Sequence, residues 1–476
     1  MRPNILWICT DQQRFDTLGC YGNKMVQTPH IDALAKQGTL FENAYCQSTI
    51  CSPSRASFMT GRYPRTTGFM KNGQSIPETE VLVTRLLQEA GYTCGLSGKL
   101  HLSACHPSVS QGTEPRIKDG YDVFHWSHHP QEDWPVNEYS QWLHKKGTSY
   151  ATRPVPECEH IVFGPKAEDH QAAWCAEKAI EFIEANEKFE QPWLFSVNIF
   201  APHHPFDPPE SHLGRYLERL DDIPLPSYAN GELESKPGVQ RRDHNGAYAN
   251  SNLYPYARMS ERDHKYLRAA YWAMCDLIDE QVGRMLQALE RTGQLDNTMV
   301  IFMSDHGELL GDHGIYLKGP HFYDCSVRVP LIISYPGVFP SGKRITALTE
   351  LLDLAPTLLE SAGLPVAPRM QGKSLLPLLT GASISHRQDV LCEVDEVRAN
   401  GNAQASGTML RTETHKLVVH GPAMEGELYD LREDPQERRN LWNSSASQGI
   451  KLELIERLCR RLMDTAEPGL LKTAPW

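Results

Sequence analysis

The chain has 476 residues, 40% of them hydrophobic and 22% charged, which excludes a fibre, a disordered tail and a disulfide-stapled miniprotein. Asp and Glu outnumber Lys and Arg by 59 to 47, a formal charge of −12. That balance argues against a nucleic-acid surface but not against a small anionic substrate held by a few local cations. The length exceeds what one hydrophobic core organises, so a large domain over residues 1–370 and a smaller one over 371–476 are expected.

In chain order, residues 4–10 form a short apolar run that reads as a buried strand. The run is too short for a leader and has no small-residue cleavage site, so a cytoplasmic location is expected. Pro29 opens a predicted helix over 29–37 that Gly38 closes. Predicted strands follow at 40–44, 92–96, 193–200, 298–304 and 329–334, with helices at 80–90, 168–185, 261–291 and 352–362. Continuously apolar strands alternating with helices predict an α/β fold, a mostly parallel sheet sandwiched by helices. Residues 106–165 and 205–256 are rich in Pro, His, Trp and Asn and read as long irregular loops. Beyond 370, strands at 389–394, 406–411 and 417–420 and a helix at 450–464 predict a small antiparallel sheet plus helix. No run reaches the roughly 18 apolar residues of a membrane span. The twelve Cys show no regular spacing, and Cys9 and Cys94 read as core thiols.

Ligands of open α/β sheets bind beyond the carboxyl ends of the strands. Four predicted strands end in polar residues there: Asp11 and Gln12, Lys99 and His101, His203 and His204, Asp305 and His306. A helix is predicted after Ser52, with Ser52 as N-cap, Pro53 in its first turn and Gly61 at its end. Cys51 then sits where free N–H groups gather an anion, and Arg55 adds a fork of donors one turn on. By itself this segment reads more readily as a capped surface helix with a bystander Cys.

The run Cys51-Ser52-Pro53-Ser54-Arg55 with Met59-Thr60-Gly61-Arg62 resembles the sulfatase signature. So do Gly98-Lys99-Leu100-His101, Pro202-His203-His204-Pro205, Ser304-Asp305-His306-Gly307-Glu308, Lys318 ahead of Arg328-Val329-Pro330, and Glu427-Leu428-Tyr429-Asp430. The resemblance spans almost the whole chain in the right order. It implies an alkaline-phosphatase-like fold and a sulfuric ester hydrolase whose Cys51 is converted to formylglycine. It implies one divalent metal, calcium first and manganese or magnesium as alternatives, held by Asp11, Gln12, Asp305 and His306 together with residue 51. Arg55 and Lys99 would stabilise the transferring group, His101 would act as base, and His203 and Lys318 would contact the sulfate and protonate the leaving oxygen. His204 and His321 are further substrate-binding candidates.

Many sulfatases carry an Asp pair after the first strand and Asp-Asn at the other metal corner. Here Asp11-Gln12 and Asp305-His306 resemble the branch that contains choline sulfatases and phosphonate monoester hydrolases. A phosphonate monoester or phosphodiester hydrolase on the same site is therefore the alternative activity. The implied partners are a small-molecule or saccharide sulfate ester and a formylglycine-generating or sulfatase-maturating enzyme. No nucleic acid or membrane is implied, and a homo-oligomer stays open. A silent sulfate-binding protein and a cysteine hydrolase pairing Cys51 with His101 are the readings from other classes. His128-His129 reads as a solvated loop. Trp126, Trp134 and Trp142 read as either surface packing or a stacking platform for a sugar.

Overall fold

Eight strands form the main sheet of the computed structural model, which describes residues 2–130, 134–397, 404–421 and 425–466. Their order is Lys343–Ile345, Thr39–Phe41, Leu331–Ser334, Thr298–Ser304, Asn4–Asp11, Trp193–Pro202, Thr93–Gly98 and Val123–Trp126. The last five run parallel to one another. Leu331–Ser334 is antiparallel to both its neighbours.

Every residue of Asn4–Asp11 is buried, because both faces of the sheet are covered. Strand side chains alternate between faces. Leu6, Ile8, Phe195 and Val197 therefore enter one core with helices Gln171–Ala185 and Glu261–Arg291. Ile5, Trp7, Leu194 and Met303 enter the other, with helices Cys51–Thr60, Val83–Glu89 and Leu354–Ser361. Cys9 and Cys94 lie in that second core, and all twelve Cys are free thiols.

Four antiparallel strands, Asp389–Val397, Gln404–Thr412, His415–Gly421 and Gly426–Asp430, make the small sheet. One face packs Leu391, Leu410, Leu417 and Leu428 against Leu454 and Leu458 of helix Gln448–Asp464. The other face sends Val390, Cys392, Met409 and Val418 into the second core of the main sheet. Arg387, buried beside this sheet, is held by Asp353 Oδ2 at 3.0 Å and Glu350 Oε2 at 3.0 Å. Removing both carboxylates would leave its charge buried and uncompensated.

The loop reading of 106–165 needs correction. The segment contains strands Val123–Trp126, Arg153–Val155 and Cys158–Phe163 and helix Glu138–Lys145, which Asn137 caps by accepting from Tyr139 N at 3.1 Å. Likewise 205–256 holds helices Glu210–Leu217 and Gly238–His244. These elements are short, so neither a helical nor a strand period has room to show. Trp126 and Trp134 are buried and meet edge to face at 4.9 Å, while half-buried Trp142 donates to Glu177 at 2.8 Å. They are packing residues and not a sugar platform. No helix among the described residues is long and apolar enough to cross a membrane.

Gly98 closes the strand that delivers Lys99. Its φ is +98°, and a Cβ there would stand 1.9 Å from the carbonyl oxygen of Asn198. Gly98→Ala is expected to cost more than about 3 kcal/mol and to lower Tm sharply, because the clash is with backbone and the dihedral disfavours any side chain. An unchanged Tm in a thermal melt would refute this packing.

Candidate active site

The ends of two adjacent parallel strands are tied together. Ser304 Oγ accepts from Gln13 N at 2.8 Å and donates to His306 O at 2.9 Å. Asp305 Oδ1 accepts from Gln12 N at 3.0 Å and His306 N at 2.9 Å. Asp11, Gln12, Asp305 and His306 are thereby fully buried side by side. Gln12 bends away from the strand with φ +69°, in the left-handed region that an Asp11-to-loop exit requires here.

Helix Cys51–Thr60 aims its first residue at this pair, and Gly61 at φ +68° ends it. Ser52 is not the N-cap. The helix starts two residues earlier, after extended Ile50, and Ser52 Oγ is buried without a partner. Cys51 thus occupies the first turn itself. Its Sγ lies 2.8 Å from Lys318 Nζ, 3.2 Å from His306 Nε2 and 3.6 Å from Asp11 Oδ1. One turn on, Arg55 Nε donates to Asp305 Oδ2 at 2.9 Å and Nη1 to Lys99 O at 2.8 Å. Its Nη2 stands 3.5 Å from Asp11 Oδ2 and makes no hydrogen bond. Lys99 Nζ reaches Asp11 Oδ2 at 2.5 Å.

Burial alone would raise the Asp11 carboxyl and the Cys51 thiol. Lys99 leads His203, Lys318 and Arg55 in holding Asp11 well below the usual carboxylate range. At Cys51, burial and Asp11 push upward, but Lys318, Lys99 and His306 outweigh them and lower the thiol.

The donor set fits a divalent cation. Ligand atoms of Asp11, Cys51, Asp305 and His306 all lie within 4.8 Å of one another. His306 Nδ1 faces the Gly307 carbonyl at 2.9 Å, which can only accept, so Nε2 presents its lone pair to the cluster. Against burial, Asp305 raises His306 to about 9, so Nε2 takes up a proton unless a cation occupies that corner in its place. Gln12 Nε2 donates to Glu308, leaving Oε1 a buried acceptor with no donor. Two carboxylates, an amide oxygen and an imidazole suit a hard or borderline ion.

Above Cys51 opens a cavity of about 890 Å³ lined by Lys99, His101, His203, His204, Lys318 and others. A model of the sulfatase family matches residues 3–364, and one of the N-sulphoglucosamine sulphohydrolase C-terminal region matches 311–464. The chain belongs to the sulfatase family. It is a sulfuric ester hydrolase with an alkaline-phosphatase-like fold. It is 28% identical to the N-acetylglucosamine-6-O-sulfatase of Bacteroides thetaiotaomicron, covering 96% of this chain and 86% of that one. It is 30% identical to the choline-sulfatase of Rhizobium meliloti, covering 92% and 82%. The phosphonate monoester hydrolase from Silicibacter pomeroyi superposes with a TM-score of 0.84 at 25% identity, covering 98% and 96%.

Eleven of the twelve candidate positions of this sulfatase meet at the metal cluster or the cavity wall. His321 does not. It is buried against Asp243 Oδ2 at 3.0 Å and does not line the cavity. Its closeness to Lys318 in sequence is undone by the turn between them. His128 and His129 are not a solvated loop. They are half-buried in the cavity wall, His128 edge-on to His101 at 4.4 Å and His129 to Phe200 at 4.7 Å.

Sequence reasoning missed two carboxylates. Glu308 orients Gln12, and its place two residues after His306 was the available signal. Glu114 accepts from His101 N and Leu102 N, both at 2.8 Å, and from the Trp126 indole at 3.1 Å. It thereby holds His101 at φ +57°. Nothing in its flanking residues marked it. Glu114→Ala should lower kcat about 10²-fold with KM within about threefold, since a shift of His101, the base the family resemblance implies, misplaces chemistry more than binding. Glu114→Gln should recover part of the loss. Equal losses in kcat and in thermal stability, without rescue, would make Glu114 a packing residue only.

Proposed function

We propose that this sulfatase hydrolyses the sulfate ester of a saccharide, using residue 51 as formylglycine. The carrying observation is the enclosure of Cys51 by Lys318, His306 and Asp11 within 3.6 Å, beside Arg55 and Lys99. A thiolate attacking sulfur would form an S–S bond with no route to release. An aldehyde, installed by a maturating enzyme that supplies the oxidant, adds water to give two hydroxyls on one carbon.

Asp11, Gln12, Asp305 and His306 would hold the divalent ion, calcium first, with manganese or magnesium as alternatives, and it would draw charge from the sulfate oxygens. Arg55 Nη2 and Lys99 Nζ face the same region and stabilise charge on the transferring group. One hydroxyl of residue 51 passes its proton to Asp11, whose Oδ1 lies 3.6 Å from the residue 51 side chain, and bonds to sulfur as the bond from sulfur to the alcohol oxygen breaks, and Lys318 gives that oxygen a proton. His101 then takes the proton of the second hydroxyl, the carbonyl reforms, and the carbon–oxygen bond to sulfate breaks. Burial, then Lys99, keeps the His101 imidazole well below its ordinary range, which leaves it free to accept.

His203 and Lys318 were both candidates for the acid. Burial, then Lys318, holds His203 well below the ordinary imidazole range, and its Nδ1 lies 2.6 Å from the His204 carbonyl. Its one proton therefore sits on Nδ1, away from the leaving oxygen, which supports Lys318 as donor.

The second reading is phosphonate monoester or phosphodiester hydrolysis, favoured by the close superposition on the Silicibacter pomeroyi enzyme and by the Gln12 and His306 corner. Comparing turnover of 4-nitrophenyl sulfate with that of an aryl phosphonate monoester separates them; the first reading expects the higher kcat/KM on the sulfate, and the reverse order would replace it. With sulfate esters of rising leaving-group pKa, Lys318→Ala should lose about 10²-fold or more at the poor end and much less with nitrophenol. A uniform loss would remove Lys318 as the acid.

A further inference from the structure

Sulfate cleavage accounts for only part of the cavity. Five imidazoles line it, those of His101, His128, His129, His203 and His204, along with Lys99 and Lys318. No Asp or Glu is among the described lining residues, although the chain as a whole carries −12. Only His101 and His203 stand at the chemistry. Nδ1 of His128 and Nδ1 of His204 are each buried without a hydrogen-bond partner.

We propose that His128, His129 and His204 form a subsite for a second anionic group of the substrate, a sulfate or carboxylate on the same saccharide. The proposal rests on the sulfate-ester reading and narrows it to doubly anionic sugars.

Three observations support it. The wall is biased positive, since Lys99 outweighs Asp11 at His128 and His129 and Lys318 outweighs it at His204. After burial, Lys99 is the strongest influence lowering His128 and His129, and Lys318 the strongest lowering His204, with His129 at about 4 and His204 at about 3. An anion placed there would relieve that repulsion and accept the imidazole N–H groups. Next, the deep carboxylates are already committed: Asp11 to Lys99, Asp305 to Arg55, Glu114 to three N–H donors. None is left to receive a cationic substrate. Finally, the Phe200 ring is not free to hold a quaternary ammonium, because Lys99 Nζ lies 5.3 Å from its centroid and His129 packs against it, which leaves Tyr248 as the other aromatic ring of the lining.

The test uses inhibition, so that the position cleaved does not matter. The full chain, matured, hydrolyses 4-nitrophenyl sulfate in the presence of N-acetylglucosamine 6-sulfate, glucosamine 2-N,6-disulfate or choline sulfate. The disulfate should inhibit at least about tenfold more tightly than the monosulfate, the scale of one charge-assisted contact, and choline sulfate should be the weakest. His128→Asn and His129→Gln should each shrink the disulfate-to-monosulfate ratio. Equal inhibition constants for the two sugars in the wild type would overturn the subsite, as would an unchanged ratio in both variants with normal melting curves. Absence of 4-nitrophenyl sulfate turnover would instead sink the sulfatase reading beneath it.

Discussion

Two fully buried carboxylates, Asp11 and Asp305, are the constraint from which the active site follows. Neither can stay ionised in a buried cluster without compensation. Arg55 and Lys99 supply part of it through contacts of 2.5–2.9 Å. A divalent cation held by Asp11, Gln12, Asp305 and His306 would supply more. The arrangement fixes what the first residue of the Cys51 helix meets: a lowered pKa, an ammonium group 2.8 Å away and a corner that attracts positive charge. Interactions held rigid in this way need no reorganisation when charge moves during reaction.

The fold exists to bring these groups together from distant parts of the chain. Asp11 and Asp305 are 294 positions apart, yet their strands are hydrogen-bonded neighbours. Lys99 leaves a parallel strand two places away in the sheet, through a glycine whose backbone touches Asn198. The small sheet shares the second hydrophobic core, so its attachment stiffens the side of the molecule that carries the Cys51 helix.

Much of this was legible in the residues because the parallel strands are buried on both faces and therefore read as unbroken apolar runs. Helix 261–291 and strand 298–304 have the bounds their periodicity predicts. The polar residues just past each strand marked the rim. Legibility failed where contacts are tertiary. Ser52-Pro53 looks like a cap, but the helix begins at Cys51 because tertiary packing, not a side-chain cap, starts it. His128-His129 and Glu114 sit in a segment whose short elements show no period, and their importance comes from meeting His101. His321 shows the reverse error, since nearness in sequence to Lys318 did not bring it into the cavity.

The five histidines and two lysines of the cavity are more than one sulfate needs, and their shared positive bias links the catalytic floor to substrate choice. Both depend on residue 51 being the group the cluster was shaped for. The most direct measurement is the mass of the peptide containing residue 51, taken from enzyme active on an aryl sulfate. The account predicts that the thiol sulfur is gone and an aldehyde or its hydrate stands there, in a fraction that tracks activity. Full activity from a chain whose Cys51 keeps its thiol would contradict it.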